Sequence, residues 1–333
     1  MNSMFKKFLV LAMCIIVTGL FVGCGGKSSN DGLIQDENTL NGESKGETKP
    51  YTVALVMKTL TNPFFVKMEE GARKAEEELG INLIVKTGAK ETSIEQQIGI
   101  VEELIEQKVD AIVIAPGSST ELVQVLKKAQ DVGIKIVNID NRLDIELSKK
   151  VGLVNVPFIS VKNNEGAYLS AKYISDMITT PTKTAIIEGI RDADNANQRK
   201  IGAEKAFGEN KNINIVASET ANWKIDEART VAASVFKKNS DIKAVFCAND
   251  MMALGVIECL KENDIKDVLV AGFDNLDDAR KAIKEGTLSV TIDQQADIQG
   301  YTGVMKVIDL IEGREVPNET FVPVKVITKK DLQ

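Results

Sequence analysis

The sequence of 333 residues is long enough for two domains of roughly 100–200 residues each, and its hydrophobic content of 44% supplies a sizeable core. It contains no histidine, which excludes Ser-His-Asp and Cys-His nucleophiles, histidine metal ligands and imidazole acid–base chemistry. The formal net charge of −7 argues against nucleic acid as a partner, because phosphate binding requires a basic surface.

The N-terminus has the pattern of an export signal. Two lysines precede an uncharged apolar run over residues 8–22, which is too short for a standard membrane-spanning helix. Gly23 and Cys24 follow, in a pattern that resembles a bacterial lipoprotein signal. We therefore expect residues 1–23 to be a signal peptide and Cys24 to be the lipidated first residue of the mature chain. Cys14 is the weaker candidate because apolar sequence follows it, and an uncleaved membrane anchor is the alternative.

Residues 24–50 are rich in Gly, Ser, Asn, Asp, Glu and Lys and contain no aromatic residue. Such a segment cannot bury enough apolar surface to order itself. We expect it to be a flexible tether that holds the folded domain at the outer face of the cell membrane through the N-terminal lipid.

From residue 51 onward, short β-branched runs alternate with longer stretches of helical periodicity, which indicates parallel sheets wrapped by helices. The predicted strands are 52–57, 82–86, 111–115, 135–139, 152–155, 184–188, 214–217, 243–248, 268–273 and 289–292. The predicted helices are 64–79, 94–107, 120–132, 164–177, 199–208, 227–237, 251–262 and 277–283. Ten strands exceed one ordinary sheet. Two successive arrays of similar size predict an α/β fold with two doubly wound lobes.

The sequence offers no metal or cofactor motif, and we expect neither. It has no CxxC pair, no GxGxxG and no GxxxxGK[ST], and the acidic loop 192–197 lacks the glycine and glutamate of an EF-hand. Cys247 and Cys259 are expected to be buried packing thiols, with a disulfide as the alternative.

Polar residues follow most of the predicted strands, where ligands bind in open parallel sheets. They come from both halves of the chain and are Lys58, Asp140, Asn249, Asp274 and Gln294. The aromatic pair Phe64 and Phe65 follows the first strand, and the only tryptophan, Trp223, follows the seventh. Carboxylates, amides, cations and flat rings suit a neutral polyhydroxyl ligand, because each hydroxyl donates and accepts while the C–H faces pack on rings.

Simpler structural roles are also open for these residues. Asn62, Asn249 and Asp274 each precede a predicted helix and are suitable N-cap residues. Trp223 is suited to a core position. Lys58 is the hardest to explain in this way, because a lysine directly after a buried strand needs a polar partner.

The segment 58–65 (KTLTNPFF) resembles the signature after the first strand of bacterial ribose- and allose-type sugar-binding proteins, the receptors of sugar-importing ABC transporters. The resemblance continues through 114–119 (IAPGSS), 137–140 (VNID), 186–189 (IIEG), 246–255 (FCANDMMALG) and 272–274 (GFD), and it spans residues 51–333.

The resemblance implies a role for each matching position. The residues implied to hydrogen-bond the sugar are Asn62, Asp140, Arg199, Asn249, Asp274 and Gln294. Phe65 and Trp223 would sandwich the sugar ring, with Phe64 beside them. Lys58 is lysine in allose-type members and serine in ribose-type ones. Asn141 stands where ribose-type members have a ligand-binding arginine, for which Arg142 is a candidate substitute. Together these positions point nearer to the allose-type branch.

The resemblance also implies the type I periplasmic binding protein fold, with chain crossings near 161–163, 293–295 and 322–325. The N-terminal lobe would contain 51–161 and 295–322, and the C-terminal lobe 162–294 and 323–333. We expect a monomeric receptor, not an enzyme, that captures an allose- or ribose-like monosaccharide and passes it to the permease subunits of an ABC importer. The alternative is a receptor that presents a sugar-like signal to a chemoreceptor or sensor kinase.

Overall fold

The structure is a computed structural model that describes residues 50–333. The predicted signal peptide 1–23, the lipidation residue Cys24 and all but the last residue of the tether 24–50 lie outside the described residues. Within 50–333, no helix combines the length and apolar character needed to span a membrane.

The described residues form twelve strands, ten α-helices and a short 3₁₀ helix at Lys329–Leu332. The strands are β1 Thr52–Met57, β2 Asn82–Thr87, β3 Ala111–Ile114, β4 Lys135–Ile139, β5 Phe158–Ser160, β6 Thr182–Glu188, β7 Ile213–Thr220, β8 Ile242–Cys247, β9 Leu269–Ala271, β10 Val290–Asp293, β11 Glu319–Phe321 and β12 Lys325–Thr328. The helices are α1 Pro63–Leu79, α2 Ile94–Gln107, α3 Val123–Asp131, α4 Ile145–Val151, α5 Asn163–Ser175, α6 Asp194–Gly208, α7 Ile225–Lys238, α8 Asp250–Glu262, α9 Asp277–Glu285 and α10 Ala296–Ile311.

The strands form two six-stranded sheets with equivalent strand orders. The first has the order β11-β5-β4-β3-β1-β2, and the second has the order β12-β10-β9-β8-β6-β7. All pairs are parallel except β10 with β12. We call the first sheet with α1 to α4 and α10 the first lobe, and the second sheet with α5 to α9 the second lobe. The expectation of an α/β fold with two doubly wound lobes is confirmed.

The chain passes between the lobes three times: from β5 to α5, from β10 to α10, and from β11 to β12. These passages coincide with the crossings expected near 161–163, 293–295 and 322–325. The exact domain limits given above stay a prediction.

Both faces of the first sheet are buried, which explains the uninterrupted apolar runs of its strands. In β1, Val53, Leu55 and Met57 belong to one apolar cluster, and the intervening Ala54 and Val56 belong to the cluster on the opposite face. Because side chains alternate along a strand, one apolar run can fill two cores.

The predicted strand at 152–155 is wrong. Gly152, with φ of 78°, ends α4 in the left-handed conformation, and Val154 is 52% exposed. The β-branched run that suggested a strand is therefore a surface connection, and the fifth strand lies at Phe158–Ser160. Glycine is common both at the C-terminal end of a helix and at the boundary of a strand, so the sequence pattern alone did not distinguish the two cases.

The sequence prediction also missed α4, α10, β11 and β12, and it began α6 at Arg199 instead of Asp194. The glycines of α10 lowered its apparent helix propensity. They are needed for packing, because a Cβ at Gly300 would lie 2.0 Å from the carbonyl oxygen of Met68 in α1.

The contact between α1 and α10 gives a stability prediction. A Cβ at Gly71 would lie 1.8 Å from the backbone oxygen of Asp297, so Gly71→Ala is expected to lower the free energy of unfolding by about 1–3 kcal/mol. Gly99 in α2 has no atom within 4 Å of an added Cβ, so Gly99→Ala is the matched control and should stabilise by up to about 1 kcal/mol. Urea unfolding of both variants measures the difference, and equal effects would contradict the packing argument.

Candidate ligand-binding site

A cavity of about 230 Å³ lies between the carboxyl ends of the two sheets. Its wall contains all ten residues that the sequence analysis named as ligand-binding, together with two that it did not name. The twelve are Lys58, Asn62, Phe64, Phe65, Glu91, Asp140, Asn195, Arg199, Trp223, Asn249, Asp274 and Gln294.

The first lobe contributes a buried ion pair to the wall. Lys58 directly follows β1, Asp140 directly follows β4, and Lys58 Nζ lies 2.8 Å from Asp140 Oδ2. The two side chains are only 2% and 3% exposed. Pairing offsets the desolvation of both charges, which explains how a lysine can end a buried strand.

Asn62 joins helix α1 to a second carboxyl group of the wall. Its Oδ1 accepts the N–H of Phe64 at 3.0 Å and caps α1, while its Nδ2 donates to Glu91 Oε1 at 2.8 Å. Burial raises the pKa of Glu91 to about 6, although Lys58 and the Asn62 amide act in the opposite direction. Glu91 is therefore a carboxyl group that exchanges its proton near neutral pH.

Aromatic rings form the apolar part of the wall. Phe64 and Phe65 meet edge to face with centroids 5.1 Å apart. Trp223 belongs to the second lobe and is also buried. A Cβ on Gly189 would lie 2.1 Å from Cζ2 of the indole, so this position requires glycine. Phenyl and indole rings from opposite lobes thus line a single space.

Arg199 is the buried cation of the second lobe. Its Nε donates to Asn163 Oδ1 and its Nη1 to the Ala248 carbonyl, both at 2.8 Å. Nη1 also lies 3.6 Å from Asp274 Oδ1, and the guanidinium stacks 3.9 Å from the centroid of Phe273. Burial lowers the pKa of Arg199, and the neighbouring carboxyl groups oppose that shift. The side chain is thereby fixed before any ligand arrives.

Asp274 and Gln294 follow β9 and β10 and are joined by a hydrogen bond of 2.6 Å from Gln294 Nε2 to Asp274 Oδ1. Burial raises the pKa of Asp274 well above its usual value, against the influence of Arg199. Behind them, the buried Asp250 accepts the Thr291 hydroxyl at 2.7 Å and the Leu276 N–H at 2.9 Å. This second carboxyl group holds the loop that presents Asp274.

The helix-capping alternatives have different outcomes. Asn62 and Asn249 do cap α1 and α8, and they also line the cavity, so both explanations hold. Asp274 does not cap α9, because the N–H of Leu276 is bound by Asp250 instead. The alternative that made Asp274 only a helix cap is therefore wrong.

Arg142 does not substitute for the ribose-type arginine. Its guanidinium lies 4.0 Å from the ring centroid of Phe158 and pairs with Glu319 at the outside of the first sheet. Asn141 is completely buried and does not line the cavity. The first lobe therefore supplies its cavity cation from Lys58.

Sequence reasoning missed Glu91 and Asn195. Glu91 lies four residues after β2, beyond the position directly after a strand that the prediction considered. Asn195 lies in the first turn of α6, one turn before Arg199, in a segment that the sequence pattern assigned to a loop. A helical pattern extended back by one turn from Arg199 would have found it.

Apart from Asp140 Oδ2, which is ion-paired with Lys58, three buried polar atoms of the cavity wall lack a hydrogen-bond partner among residues 50–333: Asn195 Oδ1, Trp223 Nε1 and Gln294 Oε1. Buried polar groups are almost always paired, so a cluster of exceptions requires an explanation. All three atoms belong to residues that line the same cavity, where a ligand would satisfy them.

No group of three or more His, Cys, Asp or Glu side chains suited to a metal occurs in the described part of the chain. Cys247 and Cys259 are free and buried, as expected.

Two doubly wound lobes with a closed polar and aromatic cavity between them define a two-lobed solute-binding protein. The chain belongs to the family of the periplasmic binding protein domain, whose family model matches residues 53–315. The type I periplasmic binding protein fold expected from the sequence is thus confirmed.

Relatives in this family are similar over most of the chain. The D-ribose/D-allose-binding protein of Pseudomonas aeruginosa is 37% identical over 285 residues, covering 83% of this chain and 88% of the relative. The D-allose-binding periplasmic protein of Escherichia coli K12 is 33% identical, covering 79% and 86%. A solved structure of an ABC transporter periplasmic solute binding protein from Actinobacillus succinogenes, with bound D-allose, has a TM-score of 0.80 and 37% identity, covering 85% and 99%.

The buried Glu91 predicts a pH-dependent stability. Because its pKa is about 6 in the folded protein and 4.5 for an ordinary glutamate, the folded state holds the proton more tightly, and protonation favours folding. As pH rises from about 4 to about 7, the wild type should lose about 2 kcal/mol relative to Glu91→Gln, with no further change at higher pH. Urea unfolding of both proteins across this range measures the effect of Glu91 as the pH dependence of the difference between their free energies of unfolding. A constant difference would contradict the assignment.

Proposed function

We propose that this protein captures a neutral monosaccharide, an allose- or ribose-like aldose, between its lobes and delivers it to an ABC importer. The observation that carries the proposal is the set of unpaired buried polar atoms at Asn195, Trp223 and Gln294, which face one cavity together with aromatic rings. A sugar ring has hydroxyl groups for the polar atoms and C–H faces for the rings.

The charges of the wall favour an uncharged ligand. Lys58 is paired with Asp140, and Arg199 lies against Asp274, so neither cation is left without a nearby carboxyl group. An anionic ligand would be buried without a counter-charge, which is costly, and the remaining carboxyl group of the wall, Glu91, is already hydrogen-bonded to the Asn62 amide. A hydroxyl instead donates to a carboxylate and accepts from an ammonium or amide, and a hydrogen bond to a charged group contributes about 1.5–3 kcal/mol.

The relatives support the same class of ligand, since two are named for D-allose or D-ribose binding and one solved structure contains D-allose. Lys58 is consistent with the allose-type branch. We assign hydrogen bonds with the sugar to Asn62, Asp140, Arg199, Asn249, Asp274 and Gln294. We assign stacking on the sugar ring to Phe65 and Trp223, with Phe64 beside them.

Delivery requires the cavity to open. All twelve residues of the cavity wall are buried, so a ligand enters only when the lobes move apart. We infer that the three chain crossings act as the hinge between lobes 51–161 with 295–322 and 162–294 with 323–333. Closure on the sugar would then present a new surface to the permease subunits, while a lipid on Cys24 keeps the monomeric receptor at the outer face of the cell membrane.

Binding is tested by calorimetry of the purified protein with D-allose, D-ribose, D-xylose, D-galactose and D-glucose. We expect at least one of these sugars to bind. Asp274→Asn should weaken that binding about 10- to 100-fold, because it replaces the carboxyl group that lies beside Arg199 in the wall. Asp241→Asn is the matched control, since Asp241 is exposed and pairs with Lys183 at the opposite edge of the second sheet. Failure of all five sugars to bind would refute the proposed ligand class, and equal loss in both variants would refute the role of Asp274.

Transport and anchoring are tested together in cells that lack the gene. The wild type should restore uptake of the bound sugar and should fractionate with membranes. Cys24→Ser should release the protein from the membrane fraction, because the lipid attachment atom is lost. Unchanged uptake in the deletion strain, combined with a lost response to the sugar, would favour the sensory alternative over transport.

A further inference from the structure

The N-terminus of α6, in the second lobe, is capped by side chains of the first lobe. The residue that precedes the helix, Ala193, has no side-chain acceptor to offer. Instead, the N–H of Asp194 donates to Ser119 Oγ at 3.0 Å, and the N–H of Asn195 donates to Asn141 Oδ1 at 3.2 Å. Two of the N–H groups that every helix leaves unpaired are thus satisfied across the cleft.

Contacts within the first lobe hold one of the two acceptors, Asn141, in place. Asn141 is completely buried, and its Nδ2 donates to the carbonyl of Pro116 at 3.1 Å. Asn138 fixes the same turn by donating to the Asn141 carbonyl at 2.8 Å and accepting the N–H of Leu143 at 2.9 Å. The first lobe therefore presents a preorganised capping surface, unlike a mobile surface side chain.

A further group of contacts surrounds the cap. Ser118 Oγ and Thr120 Oγ1 donate to the carboxylate of Asp192, and the N–H of Ser119 lies 3.4 Å from the Asp192 carbonyl. The loop after β3 and the loop after β6 thus bind each other through several hydrogen bonds. Each of these contacts joins one lobe to the other and is lost when the lobes separate.

The cap is directly connected to the ligand-binding wall. Asn195, whose N–H is capped, lines the cavity, and Arg199 lies one turn further along α6. Asn141 immediately follows Asp140, which is held at a φ of 62°. The segments that contact the ligand space are therefore the segments that form the cap.

We propose that Ser119 and Asn141 are positioning residues that form a helix cap across the lobes only in the closed state, and that they set ligand affinity and residence time without contacting the ligand. This inference rests on the proposed function. In the open state the N–H groups of Asp194 and Asn195 lose these acceptors, so the cap stabilises the closed state selectively. A contact made in only one of two states shifts the population towards that state.

Loss of the cap should change the rate of ligand dissociation. The cap must break before the lobes can part and release the ligand, so its loss should accelerate release more than it slows capture. Ser119→Ala and Asn141→Ala should each weaken binding about five-fold, and the double variant should weaken it further, mainly through faster dissociation.

The experiment measures association and dissociation by stopped-flow tryptophan fluorescence, with the sugar that calorimetry identifies among D-allose, D-ribose, D-xylose, D-galactose and D-glucose. Asp144→Ala is the matched control, because Asp144 caps α4 within the first lobe through the N–H of Leu147. It should lower thermal stability and leave dissociation unchanged. Circular dichroism establishes that each variant is folded.

Dissociation at the wild-type rate in the folded double variant would overturn the proposal, and so would equal acceleration in Asp144→Ala. Small-angle X-ray scattering of the ligand-free proteins gives a test that does not depend on the sugar. The double variant should have a larger radius of gyration than the wild type. If the wild type binds none of the five sugars, the proposed ligand class fails, and scattering alone decides the cap: equal radii of gyration would then overturn it.

Discussion

Removing charged side chains from water is costly, and this site does so for Lys58, Asp140, Arg199 and Asp274 at once. Each charge persists because an opposite charge or a set of hydrogen bonds lies against it. Each pair lies within a single lobe, Lys58 with Asp140 in the first and Arg199 with Asp274 in the second. Each half of the site therefore compensates its own cation, and a ligand that both donates and accepts hydrogen bonds can contact these groups without adding a buried charge.

Part of this site is predictable from the sequence, because in an open parallel sheet the ligand-binding residues lie at the carboxyl ends of the strands. Lys58, Asp140, Asn249, Asp274 and Gln294 were found by the rule that parallel strands present ligand contacts at their carboxyl ends, and the structure brings all five to one cavity. The aromatic residues were also noticed because they follow strands, whereas Asn62 and Arg199 were assigned to the ligand only through the family resemblance.

What the sequence did not reveal depends on contacts distant in the chain. Glu91 is drawn into the wall by Asn62, and the Asn141 side chain serves a helix of the other lobe. β11 and β12 are strands of three and four residues at sheet edges, too short for a periodic signal. The glycines of α10 look like breaks in a helix, whereas they allow α10 to approach α1. Short stretches of sequence do not show which distant residues will be in contact in the folded protein.

The backbone of the wall is itself unusual. Asp140, Trp223 and Asp274 have φ values of 62°, 68° and 129°, in a region that favours glycine. The surrounding structure holds these residues in conformations of higher energy, as is common at functional sites. At Asp140 the carbonyl accepts the Ser160 hydroxyl at 2.7 Å, and the N–H donates to the Ile159 carbonyl. The strained turn aims the carboxylate at Lys58 and simultaneously places Asn141 on the other side of the backbone.

The interleaved path of the chain has a consequence for how the protein acquires its structure. The first sheet and its helices are encoded mainly before residue 161, yet α10 and β11 come from residues 296–321, after the whole of the second sheet except β12. During synthesis the first half to leave the ribosome therefore lacks a helix that covers one face of its sheet and a strand at its edge. The first lobe therefore completes its sheet and its helical layer only after nearly the entire polypeptide has been made.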